Sequence, residues 1–183
     1  MNVNSPFVIV IVGLQFSGKT TIGRELAARL VGSHHIDDDD IRHGLFPRSS
    51  VISTLADRRK VFRHVTSSML GAAAINLEIG FSPILSSTFS HENAKRPMEK
   101  FWAEWRSRAS FHFCELVIPE GCDALIRERA VQRYGTDQDI LEKKLARREH
   151  VKSITAPWSD GINPMIIDAT QSIEHICQQI IQS

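Results

Sequence analysis

Two patterns take turns along this chain: short runs of apolar residues, and longer stretches whose apolar positions recur every three or four residues. Phe7 to Val12 is a run of six apolar, largely β-branched residues, which predicts a buried strand. From Thr21 to Val31, Ile22, Leu26 and Leu30 fall at helical spacing. Gly32-Ser33 breaks that helix, and His34 to Ile36 is a short candidate strand that runs into Asp37-Asp38-Asp39-Asp40. Residues 41–53, with Gly44, Pro47 and several serines, predict a loop. A long helix follows from Leu55 to Ile79, striped by Phe62, Val65, Met69, Ala73 and Leu77, and Gly80 stops it.

Pro83 to Thr88 predicts a third strand with a polar C-terminal end. Ser90 is placed to cap a helix reaching Ser107, with Pro97 either kinking it or marking its first turn. Phe111 to Ile118 predicts a fourth strand, followed by helices over Asp123–Tyr134 and Asp137–Lys152. After a loop from Thr155 to Asn163, Met165 to Ile167 is a fifth strand and Ser172 to Ile181 a closing helix. Five strands alternating with helices imply an α/β fold: a five-stranded parallel sheet with helices on both faces and right-handed crossovers. Ligands of such sheets sit beyond the carboxyl ends of the strands. That rule lines up Gly13–Thr20, Asp37–Asp40 and Ser86–Ser90 along one crevice.

The chain has 183 residues, and its length suits one domain over 1–183. Hydrophobic residues at 42% and charged residues at 23% exclude a disordered or fibrous class. A net charge of +1 offers no basic face for long nucleic acid, so the composition points away from that partner. Cys114, Cys122 and Cys177 are odd in number and widely spaced, which predicts reduced, buried thiols. The eight histidines show no metal-ligand spacing. The apolar run near the N-terminus is too short to cross a bilayer and lacks a preceding basic region, so the expectations are no membrane association and a cytoplasmic location. Nothing in the pattern indicates an oligomeric state.

Between the first strand and the first helix stands Gly13-Leu14-Gln15-Phe16-Ser17-Gly18-Lys19-Thr20, which fits G-x-x-x-x-G-K-[ST] at every fixed position. Gly13 and Gly18 let the backbone turn tightly and aim N–H groups inward, where the helix dipole favours a polyphosphate. Phe16, Ser17 and Thr21 complete the predicted nucleotide cradle. Lys19 would reach the β- and γ-phosphates, and Thr20 would ligate Mg²⁺.

Phosphoryl transfer also needs a positioned nucleophile and positive charge over the group in flight. If the second strand continues, Asp37 and Asp39 share a side-chain direction and Asp38 and Asp40 point the other way. One aspartate of that pair would orient or deprotonate an acceptor hydroxyl, and the other would support Mg²⁺. Arg42, three residues beyond Asp39, is placed to bind a polar or anionic acceptor, or to pair with a neighbouring aspartate. Arg127, Arg129 and Arg133 lie on one predicted helix, with Arg129 and Arg133 on the same face. They read either as a helical arginine lid, spanning about residues 123–152, or as a solvated basic helix paired with glutamates. Trp102 and Trp105 read as core, and Trp158 as packing beneath its loop or approaching the nucleotide base.

These stretches resemble the P-loop kinases of small molecules and nucleic acids. Ile36-Asp37-Asp38-Asp39-Asp40-Ile41-Arg42 is similar to the L-D-G-D-x-V-R segment of adenylylsulfate kinases, and Asp57-Arg58 with Arg63 to their D-R-x-x-N-x-R stretch. Asp39-Asp40-Ile41-Arg42 also resembles the D-D-Y-R segment of polynucleotide 5′-kinases, and Arg127 to Arg133 their R-x-R-x-x-x-R lid helix. Ser87 to Asn93 with Arg96 is similar to the T-F-x-S-x-x-x-R run of the wider group. The resemblance implies a P-loop NTPase fold, Asp39 as base, Arg42 as acceptor contact, Arg129 and Arg133 as lid, and the turn at Asp168–Thr170 near an adenine. Ser86 stands where many relatives end the third strand with aspartate, which leaves Mg²⁺ support to Asp37. The adenylylsulfate kinase lid motif is absent between Val117 and Trp158. The expectation is an ATP- and Mg²⁺-dependent kinase acting on a hydroxyl of a small-molecule acceptor, with Arg63 and Asp37 beside Arg42 in the acceptor site. The alternatives are a 5′-kinase of a nucleotide or nucleic-acid end, an adenylylsulfate kinase, and a nucleotide-dependent switch ATPase with no acceptor.

Overall fold

In a computed structural model, which describes residues 6–46, 55–89, 92–155, 157–159 and 161–183, the five expected strands form one sheet. The elements in chain order are β1 (Phe7–Gly13), α1 (Lys19–Arg29), β2 (Ser33–Asp37), α2 (Asp38–Leu45), α3 (Leu55–Glu78), β3 (Ser82–Ser86), α4 (Glu92–Trp105), β4 (Ser110–Val117), α5 (Asp123–Tyr134), α6 (Gln138–Ile154), β5 (Met165–Asp168) and α7 (Ile173–Gln182). Every pairing is parallel, in the order β2-β3-β1-β4-β5. β1 therefore lies at the centre, and its C-terminal end opens into the glycine loop.

A strand covered on both faces reads as a continuous apolar run, which is why Phe7–Val12 shows no alternation. Ile9 and Ile11 enter a core with Ile22 and Leu26 of α1 and Ile176, Cys177 and Ile180 of α7. Val8, Val10 and Val12 enter the opposite core with Met69, Ala73 and Leu77 of α3 and Met98, Phe101 and Trp105 of α4. Val8 through Ile11 are 0% exposed, and burying side chains of this size stabilises by about 1.5–3 kcal/mol each. The loop beyond β1 is thus mounted on the central, deeply buried strand of the sheet.

Two expectations are corrected. The chain does not remain extended through the four aspartates, and residues 41–45 are helix rather than loop. Asp37 is the cap of α2: its Oδ1 accepts from the Asp39 N–H at 2.8 Å, and Asp38, Asp39 and Asp40 fill the first turn, where carboxylates favour a helix dipole. Capping and charge outweigh Gly44. Pro97 lies inside α4 rather than at its first turn. The expected cap Ser90 lies outside the described residues, as do Pro47 and the serines beyond it. No helix among the described residues is long and apolar enough to cross a membrane.

Candidate active site

The loop after β1 has the geometry its glycines imply. Gly13 has φ +147°, and a Cβ there would stand 2.6 Å from the Leu116 carbonyl oxygen and 2.8 Å from Ser17 Oγ. Gly18, at φ +94°, caps α1 without a side chain, so the first amides of that helix keep no side-chain partner. Phe16 also adopts a left-handed conformation, φ 70°, with its ring buried edge-on to Tyr134. Ser17 Oγ is buried and has no hydrogen-bond partner among the described atoms, and neither have Gln15 Oε1 and Gln171 Oε1. An orphaned buried hydroxyl one residue before a helix N-terminus suits a phosphate oxygen. Lys19 Nζ donates to the Leu14 carbonyl at 3.0 Å, inside the same loop. Burial holds its ammonium below the ordinary value, opposed by the carboxylates of Asp38, Asp37 and Asp39.

Each aspartate of the run has its own partner. Asp37, 5% exposed, accepts at Oδ2 from the hydroxyls of Thr20 and Ser86, both at 2.7 Å. His35 Nε2 lies 2.9 Å from the same Ser86 oxygen. Asp38 accepts from Ser87 Oγ at 2.7 Å, and desolvation pushes its carboxyl up to about 6. Asp39 is bridged by two guanidiniums, Arg42 at Oδ1 and Arg133 at Oδ2, each at 2.7 Å. Burial alone would raise Asp39, but those two cations hold it below the usual carboxylate range. Asp40 pairs with Arg24 at the surface. Oxygens of Asp37, Asp38 and Asp39 lie within 4.8 Å of one another, a hard donor set that with Thr20 suits a Mg²⁺ ion.

The arginine helix divides in the same way. Arg129 donates to the carbonyls of Phe16 at 3.0 Å and Ala169 at 2.8 Å, tying the glycine loop to the turn after β5. Arg133 reaches Asp39, whereas Arg127 turns away to Gln138 and Glu142, both at 2.9 Å. Arg63 is exposed on α3 and lines neither cavity beside the loop.

The loop stands between two cavities of about 470 Å³ each. One faces its second half, Gly18 to Thr21, and is closed by Arg129, Arg133 and Gln171. The other faces its first half, Gly13 and Leu14, and is walled by Phe89, Lys95, Glu115 and Trp158. Ser17 borders both. Trp158 packs on Phe89 and Phe113 and lies under the Lys95 ammonium at 4.9 Å, so it walls the second cavity and not the one beside Thr170. Desolvation holds Lys95 below its ordinary value, against Glu115 and Glu99.

Fold and loop define the class: a P-loop kinase. The chain belongs to the AAA_33 family (AAA domain), which matches residues 8–158. It is similar to an adenylyl-sulfate kinase of Oceanobacillus iheyensis, with 27% identity over 99% of this chain and 85% of that protein. Among solved structures it resembles a putative kinase from Chloroflexus aurantiacus, with a TM-score of 0.70, 22% identity and coverage of 97% and 95%. It also resembles the Mycobacterium tuberculosis APS kinase CysC in complex with AMPPNP and APS, with a TM-score of 0.62, 18% identity and coverage of 97% and 96%.

Sequence reasoning missed several residues. Arg148, 6% exposed, donates through Nε to the Gln15 carbonyl at 3.3 Å and so buttresses the loop from α6. Lys95, Glu115 and His35 carried no motif. A faint signal for His35 lay in Gly23, which interrupts an otherwise ordinary helix.

Proposed function

We propose that the protein transfers the γ-phosphoryl group of ATP to a hydroxyl of a small-molecule acceptor, with the nucleotide in the cavity beside Gly18–Thr21 and the acceptor in the cavity beside Gly13 and Leu14. The observation that carries this reading is the loop standing as a shared wall between two ligand-sized cavities. Lys19 and the amides of the loop and α1 bind the phosphates, and Ser17 Oγ gains its missing partner there. Arg129 fixes the loop against Ala169, where the base would lie, and Arg133 brings positive charge toward the transferred group. Thr20 would hold Mg²⁺, with Asp37 orienting the Thr20 hydroxyl and the neighbouring carboxylates facing the ion's water shell. Bound there, the ion would neutralise charge on the phosphate oxygens.

Asp39 lines a third pocket with Thr20, Asp37 and Arg133 rather than either larger cavity, so its proposed duty, to orient the acceptor hydroxyl and take its proton, requires the reactive end of the acceptor to reach past the loop to Thr20. Its low basicity is compatible with that duty, because phosphoryl transfer passes through a loose transition state in which little proton removal is needed early. Arg42 holds Asp39 in place through the ion pair at 2.7 Å. Closure of α5 and α6 over the site would exclude water and limit wasteful hydrolysis. The test is a metabolite-library screen for ATP-to-ADP turnover above the protein's own background. Acceptor-dependent turnover supports the reading. Turnover indifferent to every acceptor, with partner binding that follows nucleotide state, would replace it with the switch ATPase.

A further inference from the structure

The end of β3 lies between β1 and β2, with Ser86 in register with Ile11 and Asp37, and Ser86 is uncharged and 0% exposed. We propose that Ser86 and His35 are positioning residues for the magnesium-nucleotide site: His35 fixes Ser86, Ser86 fixes Asp37, and Asp37 fixes the Thr20 hydroxyl. The proposal rests on the reading of the loop as a magnesium-nucleotide site.

The direction of each bond follows from what each group is able to donate. A carboxylate accepts only, so Thr20 and Ser86 both spend their single proton on Asp37 Oδ2, at 2.7 Å each. The Ser86 oxygen then has lone pairs alone to offer, and the imidazole 2.9 Å away meets it with an Nε2–H, which sets the tautomer of His35. At the other end, Thr20 has its proton turned toward Asp37 and its lone pairs turned away from it. Those lone pairs are what a cation would take. Asp37 itself is held by three protein donors, at Oδ2 by the two hydroxyls and at Oδ1 by the Asp39 amide, so its carboxylate is fixed where it orients Thr20.

An independent observation ties His35 to the same purpose. A Cβ on Gly23 would overlap the His35 ring, so α1 packs directly on the imidazole. Thr20 lies on that helix, one turn earlier. Glycine inside a helix is unfavourable relative to alanine, and the ring is the reason for it here. The relay therefore holds both the hydroxyl of Thr20 and the helix that carries it. A carboxylate at the end of β3 would do this by charge, and here a histidine and a serine do it by donor direction.

The experiment titrates a fluorescent ADP analogue into the protein at saturating Mg²⁺ and again in EDTA. Ser86→Ala and His35→Phe are expected to weaken Mg·ADP binding about tenfold, the scale of one charge-assisted hydrogen bond, while binding in EDTA stays within about twofold. The Mg²⁺ concentration for half-maximal binding should rise in parallel. Ser86→Thr, which keeps the hydroxyl, should restore it. The Ser86→Ala/His35→Phe pair should lose no more than either change alone, because both cut one chain. His35→Phe keeps the ring against Gly23, so it carries the test should Ser86→Ala fail to fold. Equal losses with and without Mg²⁺, wild-type Mg²⁺ dependence, or additive losses would overturn the relay. Absence of ADP binding by the wild type would sink the loop reading itself. Normal binding without any phosphorylated acceptor would sink only the kinase reading.

Discussion

The two cavities beside the loop have the same volume and opposite construction. The one at Gly18–Thr21 is built largely from one continuous stretch, the second half of the loop and the start of α1, with Arg129 tying that loop to the turn after β5. The one at Gly13 and Leu14 is built from side chains that arrive from four separate elements or loops, Phe89, Lys95, Glu115 and Trp158. A site made by one glycine loop and a helix start recognises what all its ligands share, the polyphosphate, and tolerates little change in its few fixed residues. A side-chain site recognises what distinguishes one acceptor from another. The difference teaches where in this chain specificity is free to vary.

Four substitutions probe that contrast. Lys19→Ala should act on the loop site with the largest effect, lowering kcat/KM for ATP by about 10³-fold or more, read by coupled ADP assay together with ATP affinity. Unchanged affinity would mean that the loop does not bind the phosphates. Asp39→Asn removes the proposed base, which lines a pocket beside Thr20 and Arg133. It should lower kcat for acceptor phosphorylation by about 10²-fold or more while the ATP dissociation constant moves less than about twofold; full activity would remove Asp39 from its assigned role. Trp158→Ala belongs to the side-chain site alone and should raise the acceptor KM about tenfold with the ATP KM unchanged. Equal changes in both constants would mean that the cavities are not separate.

The smallest effect concerns stability. Desolvation holds the Lys95 ammonium below its ordinary value of 10.5, so folding is disfavoured by this group at all pH below its folded pKa. That penalty fades as pH rises from the folded pKa toward 10.5. Lys95→Met should therefore raise Tm at pH 7 by about 2–4 °C while weakening acceptor binding, and its advantage should shrink in alkaline buffer. A lower Tm at pH 7 would show that the charge is fully compensated in the fold.

The contrast also explains what could be seen in the sequence. The first cavity was legible because its geometry demands glycine at fixed positions, as at Gly13 and Gly18, and those demands leave a spacing. The strands were legible because a sheet buried on both faces needs apolar runs such as Phe7–Val12. The turn from β2 into α2 was not, since four aspartates read equally as a strand end or as a helix cap, and the choice fell to the Asp37 carboxylate meeting the Asp39 amide. The second cavity was invisible because Lys95, Glu115 and Trp158 share no local pattern and meet only through the order of the sheet. Arg63 has a resemblance and no placement to match it: it is exposed on α3 and lines neither cavity.

Gly23 bears on how the protein is to be engineered. Replacing a mid-helix glycine by alanine is a standard route to a more thermostable enzyme, with a gain of about 1 kcal/mol in an open setting. Here the added methyl would displace the His35 ring, so a library scored on heat resistance would discard the change or accept it together with a smaller residue at 35. In either case positions 23 and 35 would be inherited as a pair.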